Sequence, residues 1–456
     1  MVPHPPIIVP AVGRGEERKI EKTTEAFRRA SAFIAEKKPD RVIIISPHAT
    51  AYADYMHISP GERATGSLAQ FGAPEASFSV NYDKAFTEAL SAACAQAGLS
   101  AGTQGERESR LDHATLVPLY FLSEAMKSSD AKFVRIGLSG LSLQEHYRLG
   151  MLIKETAEKA GGTTVIIASG DLSHRLREDG PYGFNPEGPK YDAAIMKAMG
   201  SGSFGELFDF TEESCEEAGE CGHRSFVIMA GAFDGEKVKS ELLSYEGPFG
   251  VGYGVCTFTP EGADDSRHFL EQYEEKEASR VKALRRAEDP FVKLARASMN
   301  SFIREGKVLP LPEGLPAELT ERRAGVFVSL KKDGRLRGCI GTTAPTQPSV
   351  AYEIIRNAIS ASTEDPRFDA VRPEELEKLT CTVDVLGPAE PVASADELDV
   401  KRYGVIVSKG NRRGLLLPDL AGVDTPKQQI DIARQKAGIR PEEKVNLERF
   451  EVVRHF

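Results

Sequence analysis

Short apolar runs alternate with amphipathic segments along the first 260 residues of the chain. Three of these runs are bounded by Gly, Pro or Asp, as is typical of strands buried on both faces: "DRVIIISP", "KFVRIGLSG" and "TTVIIASGD". Between the runs, apolar residues recur among charged ones at close to helical spacing, as in "ERKIEKTTEAFRRASAFIAEKK". This alternation predicts an α/β domain with a parallel or mixed sheet flanked by helices.

The pattern changes after residue 262. Residues 263–285 are strongly charged with few apolar positions, which predicts an exposed helix or a linker. Asp289 and Pro290 then indicate a helix start, because Asp is a good N-cap and Pro fits the first turn. Strand-like and helical patterns are mixed beyond this point. We therefore predict an α/β domain over 1–262, a charged linker or helix, and a smaller α+β domain over 286–456.

Composition restricts the class of protein. Of the 456 residues, 41% are hydrophobic and 28% charged, as in soluble globular proteins, and a net charge of −10 argues against a nucleic-acid partner. No run reaches the roughly 18 apolar residues of a membrane span, and the N-terminus lacks the pattern of a signal peptide. The six cysteines are scattered without a CxxC pair, which favours reduced thiols and a cytoplasmic location.

Histidines recur where predicted strands or loops end. Ligands of α/β sheets gather at the carboxyl ends of strands, so this placement is suggestive. A further histidine, His223, follows Glu220 and Cys221 closely. Imidazole, carboxylate and thiolate bind first-row transition metals, and a histidine outside the coordination sphere can move protons near neutral pH. Each histidine alone is better explained as a structural loop residue, but the set predicts a metal site. The four at strand or loop ends are His4, His48, His113 and His174.

The same segments resemble the class III extradiol dioxygenases, the LigB-like family, and more distantly the Memo proteins. The resemblance extends over about residues 1–260. It rests on segments found in this order: "PHPP", "SPHA", "DHATLVPL", "SGDLSH" and an acidic or Cys-Gly segment before "SFVIMAGAF". It implies a LigB-like fold and a metal site acting on a catechol-like or other small aromatic substrate. Iron(II) is the metal this implies, with zinc or copper as alternatives.

Matching by position, the resemblance also implies the metal ligands. His4 and His48 would ligate the metal. A late glutamate supplies the third ligand in the dioxygenases, and its nearest match is Glu220. A cysteine stands in the corresponding stretch of Memo proteins and matches Cys221. The segment departs from both patterns, so either residue is a candidate at this stage.

The resemblance implies acid–base roles for two other histidines. His174 would take a proton from a substrate hydroxyl, and His113 would stabilise charge on bound dioxygen or substrate. Asp112 and Asp171 could orient these rings, because a carboxylate beside an imidazole fixes its tautomer. Turn or cap chemistry explains both aspartates equally well.

The second predicted domain contains one candidate nucleophile. Cys339 lies in "LRGCIGT", where neighbouring glycines permit a close approach of backbone to a ligand. A thiolate near Arg335 and Arg337 would be stabilised and reactive, whereas the simpler interpretation is a small buried cysteine in a strand. "LRGCIGT", "DPRF" and "GLLLP" resemble the AMMECR family over about 286–456. This resemblance implies a pathway shared with Memo-like proteins and a radical-SAM partner.

Three hypotheses follow for the whole chain. The leading one is a non-haem iron dioxygenase-like enzyme acting on a small molecule, fused to an AMMECR domain of the same pathway. The second is a non-oxygenase metal enzyme of hydrolase type, which zinc would favour because it activates water without redox chemistry. The third is a metal-binding adaptor without catalysis. We also expect a homodimer, since extradiol-type domains often associate.

Overall fold

The computed structural model describes residues 1–127, 129–420 and 422–456. The chain divides into two compact units, Met1–Tyr273 and Glu274–Phe456. None of the helices in these described ranges combines the length and the apolarity needed to span a bilayer.

The first unit contains both parallel and antiparallel strands with helices between them. Its strands are β1 (Arg41–Ser46), β2 (Met56–His57), β3 (Arg63–Leu68), β4 (Ala73–Asn81), β5 (Ala101–Gly102), β6 (Lys132–Gly137), β7 (Thr164–Ala168), β8 (Glu236–Glu246) and β9 (Tyr253–Ala263). Its helices are α1 (Pro10–Gly13), α2 (Glu21–Glu36), α3 (Lys84–Gln96), α4 (His113–Ala125), α5 (Leu143–Ala160), α6 (Glu187–Ser201), α7 (Glu212–Ala218) and α8 (His223–Gly231). Helix α9 (Phe269–Ala287) accounts for most of the charged segment.

The three apolar runs form one parallel sheet in the order β6-β1-β7. Every residue of the central strand β1 is buried, which explains its nearly unbroken apolar sequence. Successive side chains of β1 alternate between two cores. Ile43 and Ile45 pack in the core to which α5 and α8 contribute, and Val42 and Ile44 pack in the core to which α2 and α4 contribute. Helices on both faces of a parallel sheet confirm the predicted α/β class.

The topology of this sheet brings the histidine segments together. Parallel strands end at the same edge, so the residues after β1 and β7 lie near one another. The N-terminal segment joins this edge through backbone pairing, because Val2 N donates to Ala168 O at 3.0 Å and Gly170 N donates to Val2 O at 2.9 Å. His4 is thereby placed beside the loops that follow both strands.

The second unit is a mainly antiparallel sheet with helices. Its strands are β10 (Val326–Lys332), β11 (Arg335–Gly341), β12 (Leu379–Leu386), β13 (Glu390–Val392), β14 (Tyr403–Lys409), β15 (Arg412–Leu416) and β16 (Asn446–His455). Its further helices are α10 (Pro290–Glu305), α11 (Ala317–Thr320), α12 (Val350–Thr363) and α13 (Pro426–Lys436). The strand order is β11-β10-β12-β16-β14-β15, and β13 pairs with β16.

Helix α10 begins where the sequence predicts. The Asp289 side chain accepts from Phe291 N at 2.9 Å and Val292 N at 3.0 Å, and Pro290 is the first helical residue. Side chains of α10 and α12 pack against the apolar residues of β10 and β12 to form the core of this unit. A strand-rich unit with packed helices confirms the predicted α+β class.

Candidate metal centre

Three imidazoles converge at the carboxyl-terminal edge of the parallel sheet. One ligand atom from each of His4, His48 and His113 lies within 4.8 Å of the other two. The Nε2 atoms of His4 and His48 are 3.2 Å apart, and the rings of His48 and His113 stack at 4.4 Å. They come from the N-terminal segment, the loop after β1 and the first residue of α4, so only the folded chain brings them together.

Hydrogen bonds fix the orientation of the His4 ring. Ser169 Oγ donates to Ala114 O at 2.7 Å, so it accepts from His4 Nδ1 at 3.0 Å. The neutral ring therefore carries its proton on Nδ1 and directs an unprotonated Nε2 into the cluster. His4 is 2% exposed, and this burial, together with repulsion from His48 and His113, holds its pKa well below the usual value. His4 is consequently a neutral donor at neutral pH.

A thiol adjoins the imidazoles. Cys221 Sγ lies 3.6 Å from His4 Nε2 and 3.8 Å from Asp171 O. Burial raises the pKa of Cys221 well above its ordinary value, and the nearby carboxylates of Asp171 and Glu220 add to this effect. A bound cation reverses that preference, because a coordinating thiol is deprotonated. Imidazole nitrogens and one thiol form a donor set that fits iron, copper or zinc.

The neighbouring carboxylate is engaged elsewhere. Glu220 Oε2 accepts from His223 N at 2.6 Å and so caps the start of α8. Burial raises the pKa of Glu220 to about 7. Both ring nitrogens of the buried His223 have hydrogen-bond partners outside the histidine cluster. Its Nε2 lies 3.0 Å from Leu207 O, and its Nδ1 lies 3.2 Å from Tyr191 OH. Of the two predicted third ligands, the structure brings the side chain of Cys221 to His4 and directs that of Glu220 to the helix backbone.

Asp112 positions the backbone of His48 rather than a ring. It caps α4 by accepting from Thr115 N at 3.0 Å, and its Oδ1 accepts from Ser46 Oγ at 2.6 Å. Ser46 Oγ in turn accepts from His48 N at 3.2 Å. The buried guanidinium of Arg135 lies 3.7 Å from the Asp112 carboxylate. This network connects β1, β6 and α4 behind the histidines.

Asp171 acts on the backbone of the N-terminal segment. Its Oδ1 accepts from His4 N at 2.7 Å. Burial raises the pKa of Asp171 to about 7, although the bond from His4 opposes this shift. Asp171 was predicted to orient a histidine ring, but the group that it binds is the backbone amide of His4. Ser169 holds the His4 ring instead, and it belongs to the "SGDLSH" segment that the sequence already singles out.

His174 offers a nitrogen without a partner. Its Nε2 is buried and makes no hydrogen bond to any described residue, and its ring stacks on Tyr182 at 5.1 Å. Burial and the neighbouring charge of His48 lower the pKa of His174 to about 4, so the ring is neutral at pH 7. The pKa of His113 is also lowered to about 4, by burial and by His48. Both rings can therefore accept a proton.

Aromatic side chains flank the cluster. Tyr182 is 62% exposed over His174, and the ring of Phe71 lies 5.3 Å from that of His113. Sequence reasoning missed both aromatics. Neither carries a local signal, since Phe71 ends a short 3-10 helix between β3 and β4, Tyr182 stands in a turn, and both approach the histidines only in the fold.

The remaining candidate, Cys339, lies in the second unit. It is half-buried on β11, and its Sγ accepts from Ser329 Oγ at 3.2 Å. Arg337 is paired with Glu375, with Nε 3.0 Å from Oε1. Arg367, remote in sequence, is the arginine that contacts the Cys339 backbone.

Comparisons with known proteins agree with this architecture. The family model described as the catalytic LigB subunit of aromatic ring-opening dioxygenase matches residues 1–256, and the AMMECR1 model matches residues 292–455. A Clostridium acetobutylicum protein is 42% identical over 465 residues, which cover all of this chain and 98% of that protein. A Thermotoga maritima protein is 54% identical over 171 residues, covering 37% of this chain and 98% of its own.

Two solved structures are similar over parts of the chain. An uncharacterized Pyrococcus horikoshii protein is 32% identical, covers 36% of this chain and 88% of its own, and gives a TM-score of 0.34. An uncharacterized Escherichia coli K12 protein is 14% identical, with coverages of 50% and 91% and a TM-score of 0.32. Because the LigB model matches more than half of the residues, this chain belongs to the LigB family and carries an AMMECR1 domain after its LigB domain.

Proposed function

We propose that the LigB domain binds one iron(II) ion through His4, His48 and Cys221 and opens the ring of a catechol-like or other small aromatic diol with dioxygen. The observation that carries this proposal is the convergence of imidazoles and one thiol at the sheet edge. Their donor atoms come from three separate segments, and Ser169 presets the tautomer of His4. Such preorganisation is typical of a metal site.

The chain's own residues would manage protons and substrate. Bound iron(II) would supply the redox chemistry that joins an aromatic diol to dioxygen. The neutral His174 ring, with its unpartnered Nε2, would accept the proton of a substrate hydroxyl. The neutral His113 ring would stabilise negative charge that develops beside His48. Tyr182 and Phe71 present aromatic faces to a planar substrate.

Anaerobic iron loading followed by oxygen-uptake measurements tests this proposal. We expect the wild-type protein to consume oxygen with at least one member of a panel of substituted catechols. His174→Ala should keep its iron and lose about 10²–10⁴-fold in turnover, the usual contribution of acid–base catalysis. His4→Ala should lose the iron. Stoichiometric iron in His4→Ala, or no uptake with any diol in the panel, would overturn the proposal.

A second candidate is a zinc-dependent hydrolase. The observation that favours it is the identity of the third candidate ligand. The thiol of Cys221 lies near His4, whereas the carboxylate of Glu220 binds the backbone at the start of α8. A thiolate suits zinc as well as iron, and bound zinc would supply activated water rather than redox chemistry. Metal analysis after anaerobic purification separates the two. Zinc at stoichiometric amount, with ester or amide hydrolysis that His174→Ala impairs, would replace the first candidate with the second.

A further inference from the structure

A cavity, which we call the slot, separates two strands of the first unit. Strand β7 pairs with β1 on one side of the parallel sheet, and β9 pairs with β8. The slot lies between β7 and β9 with a volume of about 560 Å³, and its lining includes residues 164–167 and 257–260. Residues 164–166 of β7 are only half-buried, although β1 beside them is fully buried. The two strands therefore expose their edges to the same cavity.

The N-terminal segment already bridges the two strands at one end of the slot. Val2 runs parallel to β7, because its N–H donates to Ala168 O and its C=O accepts from Gly170 N. Met1 pairs with β9, because its nitrogen donates to Cys256 O at 3.2 Å and its carbonyl accepts from Cys256 N at 3.1 Å. Two consecutive residues thus bond to both sides, as a central strand does.

The slot continues the path of this short strand. Parallel pairing with β7 and antiparallel pairing with β9 place residues 164–167 and 257–260 on the N-terminal side of Met1. Backbone groups alternate in direction along a strand, so the N–H and C=O of Ile166 point away from β1 and into the slot. Those of Phe258 point into it from β9. No described backbone group pairs with Ile166 on this side.

Apolar side chains cover the slot on both faces. Helix α2 packs on one face of the sheet, and α5 and α8 pack on the other. The side chains that these helices contribute include Ala30, Phe33, Ile34, Ile153, Ala157 and Phe233. Lys154 at the rim is already paired with Glu236 at 2.6 Å. A fitting occupant is therefore apolar on its two faces and polar along its two edges.

A polypeptide strand has this distribution of groups. Its side chains project to both faces, and its N–H and C=O groups point to both edges. An apolar small molecule would fill the volume but leave the backbone groups of Ile166 and Phe258 without partners, which is costly in a desolvated site. Addition of a strand to an open sheet edge is a common mode of peptide recognition.

We propose that the slot is the docking site of one extended, apolar polypeptide strand that joins the chain on the N-terminal side of Met1. It would run parallel to β7 and antiparallel to β9, and would unite β6-β1-β7 and β9-β8 in one mixed sheet. Four residues, at about 3.3 Å each, span the open part of both edges. In this register, the first and third residues before Met1 bond to Ile166, and the second bonds to Phe258.

Attachment at Met1 follows from the pairing already present. A strand that joins the chain there continues two residues that are already bonded on both sides, and its attachment gives it a high effective concentration at the slot. The site is independent of the proposed metal chemistry. Because Met1 and Val2 lead directly to His4, a docked strand would also hold the segment that carries this candidate ligand.

Amide hydrogen exchange on extended forms of the full-length protein tests the docking. One form carries a short strand of Val and Ile before Met1, and a matched form carries Gly and Ser. We expect the Val/Ile form to slow exchange of the Ile166 and Phe258 amides by about tenfold or more, because both become hydrogen-bonded donors. The Ile44 amide of β1 is the internal control and should not change. The Val/Ile form should also raise the Tm, whereas the Gly/Ser form should not.

Two controls distinguish the docked strand from other occupants. Proline at the second position before Met1 removes the donor to Phe258 O and is poorly tolerated inside a sheet, so it should abolish most of the protection. A free peptide of the same Val/Ile sequence lacks the attachment and should protect far less at micromolar concentration. Equal protection by the free peptide would assign the slot to a separate polypeptide and overturn the inference. Equal exchange rates in the Val/Ile, Gly/Ser and proline forms would also overturn it.

Discussion

Two substitutions, Cys221→Ser and Glu220→Gln, distinguish two alternative metal sites. In one the third ligand is the thiolate of Cys221, and in the other it is the carboxylate of Glu220. Serine is close to cysteine in size, but its hydroxyl does not ionise near neutral pH and binds transition metals poorly. Cys221 Sγ lies 3.6 Å from His4 Nε2, close enough for one ion to bridge them after a small adjustment. We therefore expect Cys221→Ser to remove one ligand while the fold remains intact.

The size of the effect follows from the number of ligands. Four-ligand structural zinc sites contribute roughly 10–16 kcal/mol, or about 3 kcal/mol per ligand. Loss of the thiolate should therefore weaken metal binding by about 10²-fold, since 1.4 kcal/mol corresponds to a factor of ten. Glu220→Gln keeps a carbonyl oxygen that can accept from His223 N. In the wild-type protein the Glu220 carboxylate accepts this hydrogen bond at 2.6 Å. It should change metal affinity by less than about threefold if the carboxylate is not a ligand.

Cobalt(II) provides the assay, because a cobalt–thiolate bond gives a sulfur-to-metal charge-transfer absorption that a carboxylate does not. The anaerobic wild-type protein and Glu220→Gln should show this band, and Cys221→Ser should lack it. Competition with a chelator then gives the affinities. A wild-type complex without the band, together with a 10²-fold loss of affinity in Glu220→Gln alone, would refute the reasoning and make the carboxylate the third ligand.

Three further outcomes are expected. Ser169→Ala removes the acceptor of His4 Nδ1 and should weaken metal binding about 10–100-fold in chelator competition. Burial opposes ionisation of Glu375, but bonds from Arg337 prevail and lower its pKa from 4.5 to about 2, so its stabilisation is present above pH 4.5 and lost as the pH falls to 2. Glu375→Gln should cost about 1–3 kcal/mol at pH 7 and much less at pH 2, measured by urea unfolding at both pH values. Asp289→Ala should lower stability by about 1 kcal/mol in the same assay, through loss of the α10 cap.

Much of the architecture can be predicted from the sequence, because the relevant signals are local. Strand β1 is buried on both faces, so its residues are apolar in an unbroken run that identifies it without any partner. Asp289 and Pro290 mark the start of α10 because capping involves groups only two or three residues apart. The position of His48 after β1 likewise indicates the sheet edge at which a ligand would bind.

Tertiary structure decides which atoms meet. Glu220 and Cys221 are neighbours in sequence, yet the start of α8 uses one side chain as a cap and leaves the other beside His4. Ser169 sets the tautomer of His4 across 165 residues, which no local pattern indicates.

The same holds for the surroundings of Cys339. Arg337, two residues from the cysteine in sequence, is paired with Glu375, whereas Arg367 contacts the Cys339 backbone from a loop that is remote in sequence. By itself, the sequence determined the three buried strands of the parallel sheet, the start of α10 and the strand-end histidines. Only the tertiary structure decided which donors meet at the candidate metal centre and which charged groups lie near the thiol, because coordination and electrostatics depend on distances through space rather than along the chain.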